Sequence, residues 1–186
     1  MGLSVDEVRA RPGGRSARVR AAVHRAVVDL LGEQPAEGLT IPVVAARAGV
    51  HPTTVYRRWR ALGELLADVA ASRFAGDLVV PDTGELRGDL EKWAGDVATD
   101  LGDPDTLAVV RAAVGAAGAQ GGCACVADRH QQLEAMLRRD ADRGGPERDL
   151  ERVADSLLGP LYYRAIFTET PMDAAWVRSL VGDLLR

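Results

Sequence analysis

Apolar residues recur every three or four positions along nearly all of this 186-residue chain, and this spacing limits its possible folds more than any other feature. One early segment places seven of them on a single helical face: Val19, Ala22, Val23, Ala26, Val27, Leu30 and Leu31. The strongest stripe lies near the C-terminus: Leu150, Val153, Ala154, Leu157, Leu158, Leu161 and Ala165. The sequence contains no convincing hairpin signal and no internal repeat. It therefore predicts an all-α fold of about nine helices.

Proline, glycine and hydroxyl residues indicate where these helices begin and end. The first helix should end just before Pro35, because proline disfavours the helical conformation at the residue preceding it. Thr40 fits the N-cap of a short second helix, and Gly49 should break that helix. Pro160 falls inside the strongest stripe and predicts a kink rather than a stop. Thr170-Pro171 should cap the last helix.

The composition predicts a cytoplasmic globular protein with no membrane partner. Hydrophobic residues make up 47% of the chain and charged residues 27%, which is too apolar for a disordered chain. No apolar run approaches the roughly 18 residues of a membrane span, and the N-terminus lacks a signal peptide's apolar stretch. Two cysteines cannot supply a disulfide framework.

The formal net charge of −4 conceals two segments of opposite charge. Residues 1–60 hold ten arginines and five acidic residues, a formal charge of +5, whereas residues 61–186 hold 13 basic and 22 acidic residues, a charge of −9. Such asymmetry points to nucleic acid or a membrane surface as a partner of the basic segment. The basic residues are nearly all arginine, which suits forked contacts to phosphate and guanine, although a GC-rich genome explains this bias equally well.

Residues 40–59 have the spacing of a helix-turn-helix, with a turn at Gly49 that can adopt a positive φ. The apolar positions that would lock the two helices together are Val44, Ala45, Ala48, Val50, Val55 and Trp59. The outward residues of the second helix are Pro52, Thr53, Thr54, Tyr56, Arg57 and Arg58. Such a helix can enter the major groove, where hydroxyl and guanidinium groups contact phosphates and purine edges. The alternative is a plain helical hairpin with a solvated polar face.

Particular residues make this segment more specific than its spacing alone. The stretches are Gly38-Leu39-Thr40-Ile41, Ala45-Ala46-Arg47-Ala48-Gly49-Val50, Thr54-Val55-Tyr56-Arg57-Arg58-Trp59 and Leu65-Leu66. Over residues 16–70 they resemble the DNA-binding domain of the TetR family of repressors. Three later stretches are similar to an actinobacterial-type TetR C-terminal domain: Pro81-Asp82-Thr83-Gly84, Leu86-Arg87-Gly88-Asp89-Leu90 and Gly159-Pro160-Leu161-Tyr162-Tyr163-Arg164.

The resemblance implies a homodimer on double-stranded DNA. It divides the chain into a flexible basic arm over residues 1–15, a helix-turn-helix domain over 16–75, and an effector-binding and dimerisation domain over 76–186. Each subunit would place its recognition helix in successive major grooves of a near-palindromic operator, and the last two helices would pair across the dyad. A small-molecule effector would release the protein, which would then act as a repressor. The alternative is an effector-independent DNA-binding or adaptor protein whose C-terminal domain only dimerises.

The resemblance also assigns roles to individual DNA-binding residues. It implies phosphate contacts from Thr40, Thr54, Tyr56 and Arg58, and base contacts from Pro52, Thr53 and Arg57. Further backbone or minor-groove contacts are expected from Arg11, Arg15 and Arg18. The chain departs from the family at Leu62, where a lysine usually reaches a phosphate; one contact is lost unless Arg60 substitutes for it.

In the C-terminal domain, the expected effector-pocket residues are Trp93, His130 and Tyr162, and the expected dimer-interface residues are Leu157, Leu161, Trp176 and Leu180. Trp93 and His130 are also explained as core residues, and Tyr163 competes with Tyr162 for the pocket. A metal or redox role for Cys123 and Cys125 is left open, because His130 is the only further ligand nearby. No metal, cofactor or catalytic residue is predicted, since no phosphate loop, nucleophile elbow or zinc spacing occurs; an enzyme is therefore not expected.

Overall fold

The computed structural model describes residues 13–74, 80–117, 124–168 and 170–186, and these residues contain helices but no strand. The nine α-helices of this described part are α1 (Gly13–Glu33), α2 (Ile41–Arg47), α3 (Pro52–Tyr56), α4 (Leu62–Phe74), α5 (Leu86–Gly102), α6 (Pro104–Ala117), α7 (Ala124–Asp142), α8 (Leu150–Phe167) and α9 (Ala174–Leu184). A single 3₁₀ turn, Ala36–Gly38, follows α1. The all-α prediction is confirmed.

Most helix ends follow the local signals. α1 ends at Glu33, before Pro35, as predicted, although it begins at Gly13 rather than Ser16. α8 continues through Pro160 without stopping, as predicted, whereas the kink itself stays a prediction. The predicted cap of the last helix is wrong: Asp173 caps α9, because its carboxylate accepts the Trp176 backbone N–H at 2.8 Å.

The chain separates into two compact units whose boundary lies between Arg60 and Ala61. The first contains α1 to α3, and the second contains α4 to α9. α4 packs against α6 and α7, so it belongs to the second unit, whereas the sequence placed it in a DNA-binding domain ending at residue 75. Gly63 contributes to this packing, since a Cβ there would lie only 3.2 Å from the carbonyl oxygen of Ala116 on α6.

In the first unit, α1 packs on α2 and α2 packs on α3 around a small apolar core. Its buried side chains are Val23, Ala26, Val27, Leu30, Leu39, Ile41, Val44, Ala45, Val55 and Trp59. Of the positions expected to lock the helix pair, Ala48 and Val50 are only half-buried. Removal of this apolar surface from water is the main force holding the short helices α2 and α3 in the unit, since neither is long enough to be stable alone.

The second unit is built around α5, which contacts α6, α7, α8 and α9. Its continuous apolar core includes Leu90, Trp93, Val97, Leu133 and Leu157. None of the helices in the described ranges is long and apolar enough to cross a membrane.

A buried carboxylate, Asp89, fastens the segment before α5 to the second unit. Its side chain is 1% exposed, and Oδ1 accepts the Thr83 backbone N–H at 2.5 Å and the Thr83 hydroxyl at 2.7 Å. Arg139 on α7 lies 3.6 Å from Oδ2 and donates to the carbonyl oxygen of Pro81 at 2.6 Å. These contacts give several residues of the Pro81–Leu90 stretch a structural role.

Candidate nucleic-acid interface

The turn between α2 and α3 has the geometry that the helix-turn-helix prediction requires. Thr40 caps α2, since its hydroxyl oxygen accepts the Val43 N–H at 3.4 Å. Gly49 has φ +67°, the left-handed conformation expected of it. The Val50 N–H then donates to the Ala45 carbonyl oxygen at 3.0 Å, which closes the end of α2. Together these bonds set the direction in which α3 leaves the turn.

α3 has one buried side and a polar exposed side. Val55 is completely buried and attaches the helix to α2. The predicted DNA-facing side chains are exposed, apart from the half-buried Pro52: Thr53, Thr54, Tyr56, Arg57 and Arg58. Because the buried position lies opposite these groups, docking in a groove would not require the first unit to unfold.

Arg58 is held in place on the surface of the first unit. Its Nη1 donates to the hydroxyl of Ser16 on α1 at 3.0 Å, and the centre of its guanidinium lies 5.5 Å from the Trp59 ring centroid. The Trp59 ring is buried, with the His24 ring 5.9 Å away. These contacts order the Arg58 side chain before any phosphate is bound.

A second arginine of the helix-turn-helix, Arg47, forms a forked ion pair with Glu33. Its Nη1 and Nη2 lie 2.8 Å and 2.5 Å from the two carboxylate oxygens, which joins the ends of α1 and α2. The hydrogen bond to Arg47 lowers the pKa of Glu33, and the same bond raises the pKa of Arg47. Sequence reasoning missed this pair, because the two residues lie 14 positions apart on different helices.

The other predicted DNA contacts differ in how far the structure describes them. Thr40 is exposed, and Arg18 is exposed with its Nε donating to the Gly14 carbonyl oxygen at 3.1 Å. Arg11 and the side chain of Arg15 lie outside the described residues. Leu62 is the first residue of α4 and is half-buried. Its side chain is apolar and therefore cannot donate to a phosphate.

In the second unit, two expected pocket residues belong to a buried polar group that we call the Arg129 cluster: Trp93, Asp100, Arg129, Gln132 and Tyr162. Arg129 is 1% exposed; its Nη1 donates to Gln132 Oε1 at 3.1 Å and its Nη2 to Asp100 Oδ2 at 3.4 Å. The Trp93 Nε1–H donates to the same Gln132 oxygen at 2.8 Å. His130, the third expected pocket residue, is only half-buried.

Burial perturbs two titratable groups of the Arg129 cluster. The Tyr162 hydroxyl is buried, and burial raises its pKa against the opposing charge of Arg129 and a hydrogen bond with the Arg129 side chain. Burial also raises the pKa of Asp100, again opposed by Arg129. The sequence carried a signal for Arg129 that was missed: it lies four residues before Leu133 and seven before Met136, on the apolar face of α7.

The predicted dimer-interface residues need correction. Leu157 and Leu161 are completely buried inside their own chain, so they are wrong as interface residues: the stripe that predicted them packs against α5 instead. Trp176 and Leu180 are half-buried against the same core, and the Arg164 guanidinium lies 4.1 Å from the Trp176 ring centroid. The outer side of α8 instead exposes Tyr163 (61%) and Phe167 (71%), whose ring centroids are 5.8 Å apart.

A surface cleft of about 630 Å³ lies between the end of α7 and the start of α8. It is lined by Glu134, Leu137, Arg138, Ala141, Glu147, Arg148, Asp149 and Leu150, and thus by none of the expected pocket residues. Cys123 and the side chain of Cys125 lie outside the described part of the chain. Within that part, no group of three or more histidine, cysteine, aspartate or glutamate residues could hold a metal ion.

A helix-turn-helix whose exposed, polar second helix is followed directly by two exposed arginines, and then by an all-helical unit, defines the class of helix-turn-helix transcriptional regulators. A family model described as tetracyclin repressor-like, C-terminal domain, matches residues 80–184. Because that match covers more than half of the sequence, the chain belongs to the TetR family.

Individual relatives support this assignment. The Bacillus subtilis HTH-type transcriptional regulator YdeS, itself uncharacterised, is 28% identical over 186 residues, covering 96% of this chain and 92% of YdeS. The HTH-type transcriptional regulator AqdR of Rhodococcus erythropolis is 32% identical over 97 residues, or 52% of this chain and 47% of AqdR. The crystal structure of the TetR family transcription regulator SCO0332 superimposes with a TM-score of 0.67 at 29% identity, covering 90% of this chain and 97% of that one.

Proposed function

We propose that this TetR-family regulator is a homodimeric repressor, and that a small-molecule effector bound by the second unit releases it from a near-palindromic operator. The observation that carries the DNA-binding part is the two-sided character of α3. Its single buried residue, Val55, holds the helix in the unit, while hydroxyl donors occupy its exposed side and the exposed guanidinium groups of Arg57 and Arg58 follow its last residue.

Two kinds of contact are proposed for the residues of this surface. Thr40, Thr54, Tyr56 and Arg58 donate to phosphates, which fixes the helix in the groove without selecting a sequence. Pro52, Thr53 and Arg57 face the bases, since they occupy the N-terminal and outward positions that meet base edges in helix-turn-helix complexes. Arg58 suits its role because Ser16 and Trp59 already order its side chain.

The dimer is proposed to form through the outer sides of α8 and α9. Tyr163 and Phe167 support this, because two neighbouring exposed aromatic rings are costly to leave in water and would be covered by a second copy. α9 exposes small residues, Ala174, Ala175 and Ser179, which would allow close approach of a partner helix. A dimer is also what a near-palindromic operator requires.

The effector acts only through a difference in affinity between two states. It must bind the second unit more tightly in the state that cannot hold both recognition helices in successive major grooves. If the effector binds one state about 100 times more tightly than the other, the coupling free energy is roughly 2.7 kcal/mol. Buried polar side chains in the second unit support such a site, because they provide directional donors within an apolar core.

Selection of bound DNA from a random pool, followed by affinity measurements on the selected site, tests the proposed function. Arg57→Ala should cost about 1–3 kcal/mol and relax preference at one base position. Arg58→Ala should weaken all sequences alike and reduce the salt slope by about one unit. Arg138→Ala, an exposed arginine on α7 away from the proposed dimer surface, is the matched control and should change neither quantity. Unchanged DNA binding in the Arg57→Ala/Arg58→Ala double variant would exclude α3 as the recognition helix.

A further inference from the structure

The exposed side chain of His51, immediately before α3, contacts both polar groups of Thr53. Its ring nitrogen Nδ1 lies 3.3 Å from the Thr53 backbone nitrogen and 2.8 Å from the Thr53 hydroxyl oxygen. Pro52, the first residue of α3, has no backbone N–H, and the Thr54 N–H already donates to the His51 carbonyl oxygen at 2.9 Å. The Thr53 N–H is therefore the donor of this helical turn that depends on a side-chain cap.

The Thr53 backbone determines which nitrogen of the His51 ring carries the proton. An amide N–H can only donate, so Nδ1 must accept and carries no proton. The neutral ring then holds its proton on Nε2. With Nδ1 unprotonated, the 2.8 Å contact requires that the Thr53 hydroxyl donates as well. The hydroxyl proton thus points at His51, and only the lone pairs of Thr53 Oγ1 remain for another partner.

This arrangement gives the exposed Thr53 hydroxyl a single hydrogen-bonding sense. A hydroxyl without a fixed partner can donate or accept, so it discriminates little between base edges. A hydroxyl that can only accept pairs with an amino group, which in the major groove is adenine N6 or cytosine N4. Guanine O6 and thymine O4 are themselves acceptors, and facing Thr53 they would leave two acceptors without a donor.

We infer that His51 determines base specificity: it fixes the Thr53 hydroxyl as an acceptor and thereby selects adenine or cytosine at one operator position. The inference rests on the proposed function, because that function places Thr53 against a base. Thr53 Oγ1 makes the contact with the base, and His51 is a positioning residue that acts through it.

The variant His51→Ser separates this role from simple capping of α3. Serine is a good N-cap, so the Thr53 N–H keeps an acceptor and the helix keeps its start. A serine hydroxyl can donate as well as accept, however, so it does not fix the direction of the Thr53 hydroxyl. A residue that only capped the helix would give the same base preference as serine does.

Affinity for variants of the selected operator tests the inference, at the position whose preference changes in Thr53→Val. Replacing adenine by guanine there, or cytosine by uracil, exchanges the amino group for an oxygen and should weaken binding by the unaltered chain about tenfold. In His51→Ser this ratio should fall to about threefold or less, while the urea midpoint stays close to that of the unaltered chain. Adding His51→Ser to Thr53→Val should change the preference no further. Thr99→Val, which removes an exposed hydroxyl on α5, is the matched control and should keep both affinity and preference.

Nitrogen NMR of the full chain without DNA tests the hydrogen bonds themselves. In alkaline buffer, where an ordinary imidazole is neutral, His51 Nδ1 should resonate as an unprotonated nitrogen and Nε2 as a protonated one. Thr53→Val should shift the Nδ1 signal of His51 and leave that of His130, in the second unit, unchanged. A protonated Nδ1, or an Nδ1 signal that Thr53→Val does not move, would overturn the inference.

Three DNA-binding results would also overturn it: His51→Ser keeps the full preference, the unaltered chain selects guanine or thymine opposite Thr53, or Thr53→Val alters no base preference. Each of them leaves the proposed repressor standing as long as Arg57→Ala still relaxes the preference at its own base. Failure of the proposed function gives a different result, the absence of any sequence-selective DNA binding by the unaltered chain. Base selection through His51 would then be refuted with it, whatever the nitrogen spectra show of the hydrogen bonds.

Discussion

Tyr56 offers the most direct test of which side chains contact phosphates and which contact bases. The residue is exposed on α3, so its hydroxyl can reach a phosphate without moving the core. Tyr56→Phe removes one hydrogen bond to a charged group, worth about 1.5–3 kcal/mol, and keeps the ring. We expect affinity to fall by the same factor on the selected operator and on random DNA, measured by fluorescence anisotropy with labelled duplexes. A loss confined to one base position would contradict the phosphate role.

Asp89 should matter for stability far more than its neighbour Asp82. Asp89 is almost completely buried and is bonded to Thr83 and Arg139, whereas the Asp82 side chain is 59% exposed. Asp89→Ala removes the acceptor of the Thr83 backbone N–H and the carboxylate paired with the partly exposed Arg139, so we expect a loss of about 1–3 kcal/mol in unfolding free energy. Asp82→Ala should cost no more than about 1 kcal/mol, because it removes only an exposed pair with arginines. Urea unfolding followed by circular dichroism measures both; equal losses would refute the fastening role of Asp89.

What the sequence could predict at this scale depended on whether the determining contacts were local. Thr40, Gly49 and the outward residues of α3 followed from spacing within about twenty positions, and the structure shows each with the cap, backbone angle or exposure expected. Leu157 and Leu161 failed as interface residues because periodicity identifies an apolar face but not the surface that covers it. Arg129 was missed because its ion-pair partner Asp100 lies 29 positions away on another helix, which local spacing does not show.

At the scale of elements, caps and turns predicted helix ends well, while tertiary packing decided where a helix belongs. α4 resembled part of a DNA-binding domain in its residues, yet its contacts lie with α6 and α7, and Gly63 permits this close approach. Such packing joins residues some fifty positions apart in sequence, and no local signal encodes it.

The cap of α6 predicts a specific pH dependence. Asp103 accepts the Thr106 backbone N–H at 2.8 Å, and this hydrogen bond lowers the pKa of Asp103 below its ordinary value. Because the folded pKa is the lower one, the cap stabilises the fold above the ordinary carboxyl pKa of about 3.9 and is lost as the pH falls through the folded value. Asp103→Ala should therefore cost about 1 kcal/mol at neutral pH and progressively less in acid.

Asp103→Asn is the control for this cap, since asparagine keeps an acceptor that does not titrate. Its stability relative to Asp103→Ala should be nearly independent of pH in urea unfolding series. A cost of Asp103→Ala that stays constant down to the acid limit would show that the carboxylate charge contributes nothing at this helix end.

For the whole molecule, the division of charge follows the division into compact units. The boundary between Arg60 and Ala61 coincides with the change from a formal charge of +5 to one of −9. The proposed operator-binding residues lie in the basic unit, and the proposed dimer and effector sites lie in the acidic one. A net charge of −4 therefore says little about affinity for DNA, because phosphates are contacted by only one of the units.

Assembly of two copies is the step on which the proposed operator binding depends, and Phe167 is the residue that tests it best. Its ring is 71% exposed in the single chain, so Phe167→Glu should leave the free subunit folded. In a dimer formed through α8 it would bury a charge without a partner, and dimer dissociation should rise by at least about tenfold. Val114→Glu, at an exposed apolar position on α6, is the matched control and should leave the dimer intact. Sedimentation across a dilution series measures the first effect; affinity for a full operator should fall with it, while affinity for an isolated half-site should not. If the Phe167→Glu and Val114→Glu variants dimerise with equal affinity, the interface lies on another surface of the second unit.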